Sequence, residues 1–345
     1  MSIIYSASSG LHDGAIGRLE TPIKMIIEHE SDLLTKQGGI RDWLFNVEKS
    51  SRFGETIVGE SEFGVFQATE EGAGAENDTA EETYSKFIEH IQFMKEFTIT
   101  AQMMEDAAYG VAADAKRRAE NFTRAYFKTQ HKICEYALAN GTFASGTFAR
   151  ATLDLTAPDG NPLFCATHKW GGQRVSGTQS NFYYGSLFDS TTQFEEALGR
   201  LAAILRNMRD ENGEPLGYTA DTIILPGNRP MAEMIAKKVC GSEGATGNGY
   251  NDINLQYGNW NIVVMPTWQT TDNRVMIMSS EANKNLGGNM FFNRVPLTVS
   301  QWVDHHTGNY NWAGRCRFGV GFGSYKHILL AVDADSAVSG ATALV

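Results

Sequence analysis

Four stretches of the chain carry residue types that could do chemistry. Cys165-Ala-Thr-His168 sets a thiol three residues from an imidazole, the two groups that a thiolate nucleophile and its base would supply. Asp304-His305-His306 offers a carboxylate and two imidazoles, side chains that ligate transition metals. Gly241-Ser-Glu-Gly-Ala-Thr-Gly-Asn-Gly249 has the glycine density of a phosphate loop, and Gly319-Val-Gly-Phe-Gly323 that of a dinucleotide fingerprint.

Each stretch lacks the context its chemistry needs. Proximity of three residues does not make a Cys/His pair catalytic, because such pairs are brought together by the fold. On a strand, His305 and His306 would point to opposite faces and could not converge on one ion. The 241–249 loop lacks the Gly-Lys-Ser/Thr ending that cradles a triphosphate, and 319–323 lies within a strand pattern instead of at a strand-to-helix turn. A mobile loop and a strand packed closely by its backbone are the readings these two favour. No Gly-x-Ser-x-Gly elbow and no paired-carboxylate motif occurs. The expectation is a protein without catalytic, metal or cofactor sites; a cytosolic hydrolase on Cys165 and His168 stands as the chemical alternative.

Composition narrows the field further. The 345 residues allow two domains, or one large domain with arms. Net charge is −11, from 40 acidic and 29 basic residues, so the basic face of a free-standing nucleic-acid binder is not expected. Enclosing DNA needs no such face. Cys134, Cys165, Cys240 and Cys316 are far apart with no CxxC, which suggests reduced thiols in a cytosolic compartment. No secretory leader and no apolar run long enough to span a membrane is read in the sequence.

The patterning then predicts the elements. Residues 1–50 read as an arm with one or two short helices and no core of its own. From 51 to 100 the pattern is strand: Thr56, Ile57, Val58, Phe63, Val65 and Phe66 in one run, then apolar Phe87, Ile91, Phe93, Phe97 and Ile99 alternating with polar neighbours. Ile88, Glu89, Met94 and Lys95 break that alternation. Between the runs, Glu60 to Glu82 holds eight acidic residues and no Lys or Arg. The prediction is one long hairpin with an acidic tip, marginal in water unless it packs on something.

Val111–Ala139 contains no Pro or Gly, and Ala115, Ala119, Phe122, Tyr126, Ile133 and Ala137 fall on one helical stripe. A 29-residue helix would span roughly 43 Å. Its remaining surface carries Lys116, Arg117, Arg118, Arg124, Lys128 and Lys132. Short strands and turns are expected over 142–189, then an amphipathic helix from Thr191 to about Arg209, capped by Ser190-Thr-Thr-Gln193. Further on, 221–226 reads as a strand and 230–239 as a helix. Four more strands are predicted over 260–265, 274–278, 290–302 and 315–331, and the overall class is α+β.

Four further stretches carry a resemblance: Phe63-Gly-Val-Phe-Gln-Ala-Thr-Glu-Glu-Gly72 with Tyr84–His90 and Phe97–Asp106; Asp159–His168 with Gly177–Asn181; Thr222–Pro226; and Arg315–Gly321. In this order, across about residues 50–335, they resemble the Hong Kong 97-like capsid fold of tailed bacteriophages, and within it the Mu-type major head subunit family. The resemblance implies an N-terminal arm (1–50), an extended E-loop hairpin (51–100), a P-domain (101–220, spine helix 111–139, completed by 290–345 with the C-terminal tail) and an axial A-domain (221–289).

It implies a non-enzymatic major head protein that assembles as pentamers and hexamers into an icosahedral shell of a virion in the host cytoplasm, enclosing double-stranded DNA. A portal and a decoration protein are partners it implies; where some relatives of this fold carry a long scaffolding segment the arm here is short, and the expectation is a separate scaffolding protein with little proteolytic processing. An encapsulin-type nanocompartment shell is the alternative on the same fold. The expected assembly surface is the E-loop, with Glu70, Glu71, Glu76, Asp78, Glu81, Glu82, Phe87, Ile91 and Phe93, meeting a neighbour's spine at Arg117, Arg118, Arg124 and Lys128. Gly244, Gly247, Asn248 and Tyr250 are expected on a loop at the capsomer axis. Lys86 and Lys95, the hairpin's lysines, carry no mark of cross-linking chemistry.

Overall fold

The computed structural model describes residues 4–5, 14–60, 66, 68–69, 74, 82–102, 111–170, 177–241, 254 and 256–344. In chain order the first elements are β1 (Ile4–Tyr5), α1 (Gly14–Gln37), α2 (Ile40–Leu44), β2 (Asn46–Lys49), β3 (Gly54–Glu60), β4 (Glu82–Glu89), β5 (Ile91–Ile99) and α3 (Val111–Ala139). Next come β6 (Ser145–Phe148), β7 (Ala151–Asp154), β8 (His168–Lys169), β9 (Thr178–Gln179), β10 (Phe182–Gly185) and α4 (Thr191–Arg206). The chain closes with β11 (Thr222–Pro226), α5 (Pro230–Gly241), β12 (Asn261–Met265), β13 (Arg274–Met278), α6 (Ser280–Asn285), β14 (Asn289–Val303), β15 (Tyr310–Phe322), β16 (Ile328–Asp333) and β17 (Thr342–Ala343). None of the described helices is long and apolar enough to cross a membrane.

The arm is more substantial than its pattern suggests. α1 is one 24-residue helix, and it packs with α2 along α3. Ile27, Ile40, Leu44 and Phe45 enter the main hydrophobic core, so this segment does have a core, shared with α3. Arg41 is nearly fully buried between them, donating to Gln130 and Asp42 and lying 5.7 Å from the centroid of the Phe291 ring. Those partners are what make a buried guanidinium tolerable.

α3 has the bounds its sequence predicts, and it buries Ala119, Phe122, Tyr126, Ile133 and Ala137 along one side. That side lies on a mixed sheet in the order β1-β14-β15-β5, with β2 also on β14. Phe122 packs 5.3 Å from Phe97, and Gly314 on β15 gives it room, since a Cβ there would sit 2.3 Å from its ring.

The second sheet runs β12-β11-β13-β16-β10-β17. One face joins the main core, while α4 and α5 cover the other through Leu198, Leu201, Leu205, Ile235 and Val239 against Ile223, Leu225 and Ile277. Its strands come from 182–185, 222–278 and 328–343, so segment boundaries at 221 and 290 run through a single hydrogen-bonded sheet. The predicted run 315–331 is two strands, broken at 323–327, and α6 is a short helix the pattern does not announce. Ser190 caps α4 as expected, its Oγ accepting from the Gln193 amide at 3.2 Å.

Candidate functional site

The 51–100 segment is two structures, not one. β3 pairs with β4 in a two-stranded ribbon, from Gly54 opposite Glu89 to Glu60 opposite Glu82. β5 instead joins the body, pairing antiparallel with β15 from Ile91 opposite Phe318 to Ile99 opposite Tyr310. The inward-facing set changes parity at the junction. In β4 the even residues Lys86 and Ile88 are buried, as is His90 after it, while Ser85, Phe87 and Glu89 are exposed. In β5 the odd residues Ile91, Phe93, Phe97 and Ile99 face inward.

That reversal corrects the expected interface. Phe93 stacks on Phe318 at 4.7 Å and Phe97 on Trp312 at 5.2 Å, so Ile91 and Phe93 belong to the chain's own core. Phe87 is different: about half exposed, it stacks on exposed Phe53 at 6.4 Å, with Val58 exposed on the same face of the ribbon. The outward apolar face of the hairpin is therefore Phe53, Val58 and Phe87.

The inward face is anchored by shape and by charge. Gly319, Gly321 and Gly323 alternate along β15 and just past its end. A Cβ at these positions would lie 2.8 Å from the Glu89 carbonyl oxygen, 2.5 Å from Ile88 Cδ1, and 2.3 Å from the Gly287 carbonyl oxygen with Ile57 at 3.0 Å. The glycine run is thus a bed for the ribbon, in line with its reading as a strand packed by its backbone.

Polar locks flank that bed. Buried Lys86 donates to Asp154 and Thr156 on the neighbouring β6–β7 hairpin. Tyr84 Oη lies 3.5 Å from Glu211 Oε1, and the same carboxylate takes a bond from Lys326, with both ends of that pair buried. Burial, reinforced by the Glu211 charge, pushes the Tyr84 hydroxyl well up, so it stays protonated and can donate. Pattern reading missed these residues. The signal was present in Ile88 and Glu89, the positions that break the odd-number alternation.

The spine cations are partly committed within the chain. Arg124 Nε donates to Glu30 of α1 at 2.6 Å, and Arg118 donates to the Thr98 carbonyl. Lys116 lies 3.9 Å from Glu120 on its own helix, whereas Lys128 is exposed and Arg117 is exposed on the same helix. The structure therefore does not present Arg118 and Arg124 as uncommitted charges for another subunit. Glu70, Glu71, Glu76, Asp78 and Glu81, and likewise Gly244, Gly247, Asn248 and Tyr250, lie outside the described residues; Glu82 opens β4.

Among the described residues none of the chemical stretches forms a reactive centre; 242–249 of the glycine-rich loop lies outside them. His168 is fully buried, with Nδ1 2.8 Å from Asp159 Oδ2 and Nε2 3.1 Å from the Leu163 carbonyl, and its ring stacks on Tyr325 at 3.9 Å. Both ring nitrogens are occupied, leaving none to deprotonate Cys165, whose Sγ instead lies 3.5 Å from Thr167 Oγ1. That geometry does not favour the Cys/His hydrolase alternative. Burial pushes the Cys240 and Cys316 thiols up, to about 11 and about 12, which makes them inert packing groups.

Asp304, His305 and His306 sit on a turn, not on a strand. Asp304 accepts from the His306 amide at 3.0 Å and the Thr307 hydroxyl at 2.7 Å, so it is a turn-capping carboxylate. Among the described residues no group of three or more His, Cys, Asp or Glu side chains could hold a metal ion.

No protein-family model and no curated protein sequence matches the chain. Solved structures do. The capsid of a native GTA particle matches with TM-score 0.50 and 15% identity, over 86% of this chain and 90% of that one. The capsid of Myoviridae phage XM1 matches at 0.48 and 13%, over 86% and 92%. A structure from Mycobacterium phage Patience matches at 0.49 and 15%, over 98% and 94%. At such identities the likeness shows architecture alone, and the architecture is the α+β, Hong Kong 97-like capsid fold.

Proposed function

We propose that this chain is the major subunit of a phage-type capsid, many copies of which close into an icosahedral shell around packaged DNA. The observation that carries the reading is the β3–β4 ribbon. It is seated on the body by Ile88, Lys86 and Tyr84, yet it turns Phe53, Val58 and Phe87 outward and leads into a segment with eight acidic residues. A two-stranded ribbon with an apolar outer face and an acidic extension suits a partner surface, and a shell supplies that partner in every neighbouring subunit.

The capsid fold supports the reading. The work of the subunit is interface energy, many weak contacts multiplied by closure. The finer assignment to the Mu-type head subunits rests on the resemblance of the sequence. Loops 244–250 at a capsomer axis, an N-terminal arm, and a separate scaffold, portal and decoration protein belong to the same proposal.

Negative-stain microscopy of the purified, concentrated chain tests it. Closed shells holding nucleic acid are the expected outcome. Shells filled with protein cargo would favour a nanocompartment, and a chain that stays monomeric under all assembly conditions would overturn the proposal.

A further inference from the structure

A cleft of about 400 Å³ lies between the end of α4 and the β8–β9 hairpin, lined in part by Trp170, Thr178, Gln179, Arg200, Asn207 and Arg209. None of its lining residues is acidic, although the chain as a whole carries a net charge of −11. Arg200 and Arg209 are its charged residues, and both are exposed. Among the described residues neither guanidinium forms an ion pair. Two cations held in one concave site with no carboxylate to neutralise them favour an anion there.

The site is built on a buried frame. Tyr325, 1% exposed, donates from its hydroxyl to the Lys169 carbonyl at 2.8 Å and accepts from Gln179 Nε2 at 2.9 Å. Gln179 Oε1 accepts the Arg209 amide at 2.9 Å, and Gln179 Nε2 also donates to the Arg209 carbonyl at 3.2 Å. One buried tyrosine thus ties both walls, the strand leading to Trp170 and the backbone of Arg209, to the core. The Arg209 side chain is held as well. Its guanidinium carbon lies 5.5 Å from the centroid of the Trp170 ring, and its Nη1 donates to the Gly213 carbonyl at 3.0 Å. Among the described residues its other N–H groups, the Thr178 hydroxyl and the Asn207 side-chain amide make no hydrogen bond, so these donors are available to a ligand.

We infer that this cleft binds a nucleotide, its phosphate on Arg200 and Arg209 and its base against the stacked Trp170–Arg209 pair. A guanidinium fork matches two phosphate oxygens at once. A stacked indole and guanidinium offer a flat face to any base. The cleft has the size of a small-ligand pocket, which spans roughly 300–1,000 Å³. The nucleotide is either free or one unit of a nucleic-acid strand. With two cations at the site, log affinity falls against log salt with a slope of about two or less, unlike the steep slope of a protein that tracks a strand. The inference does not depend on the capsid reading.

The test is titration calorimetry on the full-length chain at low salt, with adenosine monophosphate, inorganic phosphate, a short oligodeoxythymidine and a polyglutamate peptide as probes. Saturable binding of adenosine monophosphate is expected, weakened about tenfold or more in Arg200→Gln and in Arg209→Gln. Trp170→Leu should weaken adenosine monophosphate and leave inorganic phosphate unchanged. Circular dichroism and thermal melting confirm that each variant is folded; should Arg209→Gln not be, Arg200→Gln carries the comparison, because that side chain is exposed. Arginine-dependent binding of adenosine monophosphate without the oligonucleotide identifies a free nucleotide as the source. Tighter, arginine-dependent binding of the oligonucleotide identifies a strand. No binding of either, or equal binding to the folded variants, would overturn the inference. So would inorganic phosphate or polyglutamate binding as tightly as adenosine monophosphate, since the site would then hold any anion.

Discussion

Ile88 of the hairpin lies directly on the backbone of Gly321, where a Cβ would come within 2.5 Å of its Cδ1. At Gly319 and Gly323 the obstacle to a Cβ is backbone, the carbonyl oxygens of Glu89 and Gly287 at 2.8 and 2.3 Å. A side chain can shift more cheaply than a carbonyl held in a fold. Gly321→Ala is therefore expected to cost less than Gly319→Ala or Gly323→Ala, each within the range of about 1–3 kcal/mol typical of overpacking. Urea unfolding midpoints of the three variants check the order, and equal midpoints would show that a side-chain obstacle costs as much as a carbonyl.

The glycine alternation was legible in the sequence as close backbone packing, but nothing in it says which element packs there. α3, α4 and the class of the fold were legible because long helices declare themselves through apolar spacing and caps such as Ser190. The hairpin was misread where tertiary structure decides: Phe87 and Phe93 share an alternating pattern, yet one faces solvent and the other the core, because β5 leaves the ribbon at His90 to join β15. Period-two patterns record that residues alternate, not which sheet receives them. The Lys326–Glu211 pair and the Arg209–Trp170 stack join residues 115 and 39 positions apart (326 − 211 and 209 − 170), beyond any local pattern.

Two lysine–carboxylate pairs anchor the hairpin region, and they should respond differently to loss of the cation. Asp154, the partner of Lys86, has a side chain 58% exposed, so water can rehydrate it in Lys86→Met. Glu211, the partner of Lys326, is buried with it. Lys326→Met should thus cost about 3–5 kcal/mol, the usual penalty for stranding a buried charge, and Lys86→Met about 1 kcal/mol or less. Thermal melts of both variants test the contrast. Limited proteolysis at 60–89 should quicken in Lys86→Met even though the melting point barely moves.

Two buried groups predict acid sensitivity of the subunit. Burial pushes the His327 imidazole down to about 3, so the folded chain resists a proton that the unfolded chain binds near its ordinary value of about 6.5. Between those values the unfolded state holds more protons, and stability falls as pH falls, by at most ~1.4 kcal/mol per unit for one site. Burial works to raise the Asp159 carboxyl, but hydrogen bonds from His168 and Asn161 outweigh it and hold the group below its usual range. Its contribution is complete above about 4 and is lost at lower pH, which adds to the same trend. Unfolding free energies from pH 7 to 4 should decline, and His327→Gln should flatten the slope between 6.5 and 4; an unchanged slope would remove His327 from the account.

Phe93 and Phe87 lie on the same stretch of chain and should fail in opposite assays. Phe93 stacks on Phe318 at 4.7 Å and meets Phe148 at 6.5 Å, so Phe93→Ala opens a hole in the subunit's own core. The expected cost is about 3 kcal/mol of monomer stability. Phe87 touches Phe53 at a ring-centroid distance of 6.4 Å on an exposed face, and truncating it should leave the monomer's unfolding free energy within about 1 kcal/mol of the parent's. If that face is covered by a neighbour in a shell, Phe87→Ala loses the area that becomes buried on assembly, at roughly 25 cal/mol per Å2, and raises the concentration needed for particles. Monomer unfolding and light-scattering assembly curves on both variants separate the roles. A Phe87→Ala chain that assembles at the parent's threshold would show that the outward face of the ribbon meets no partner.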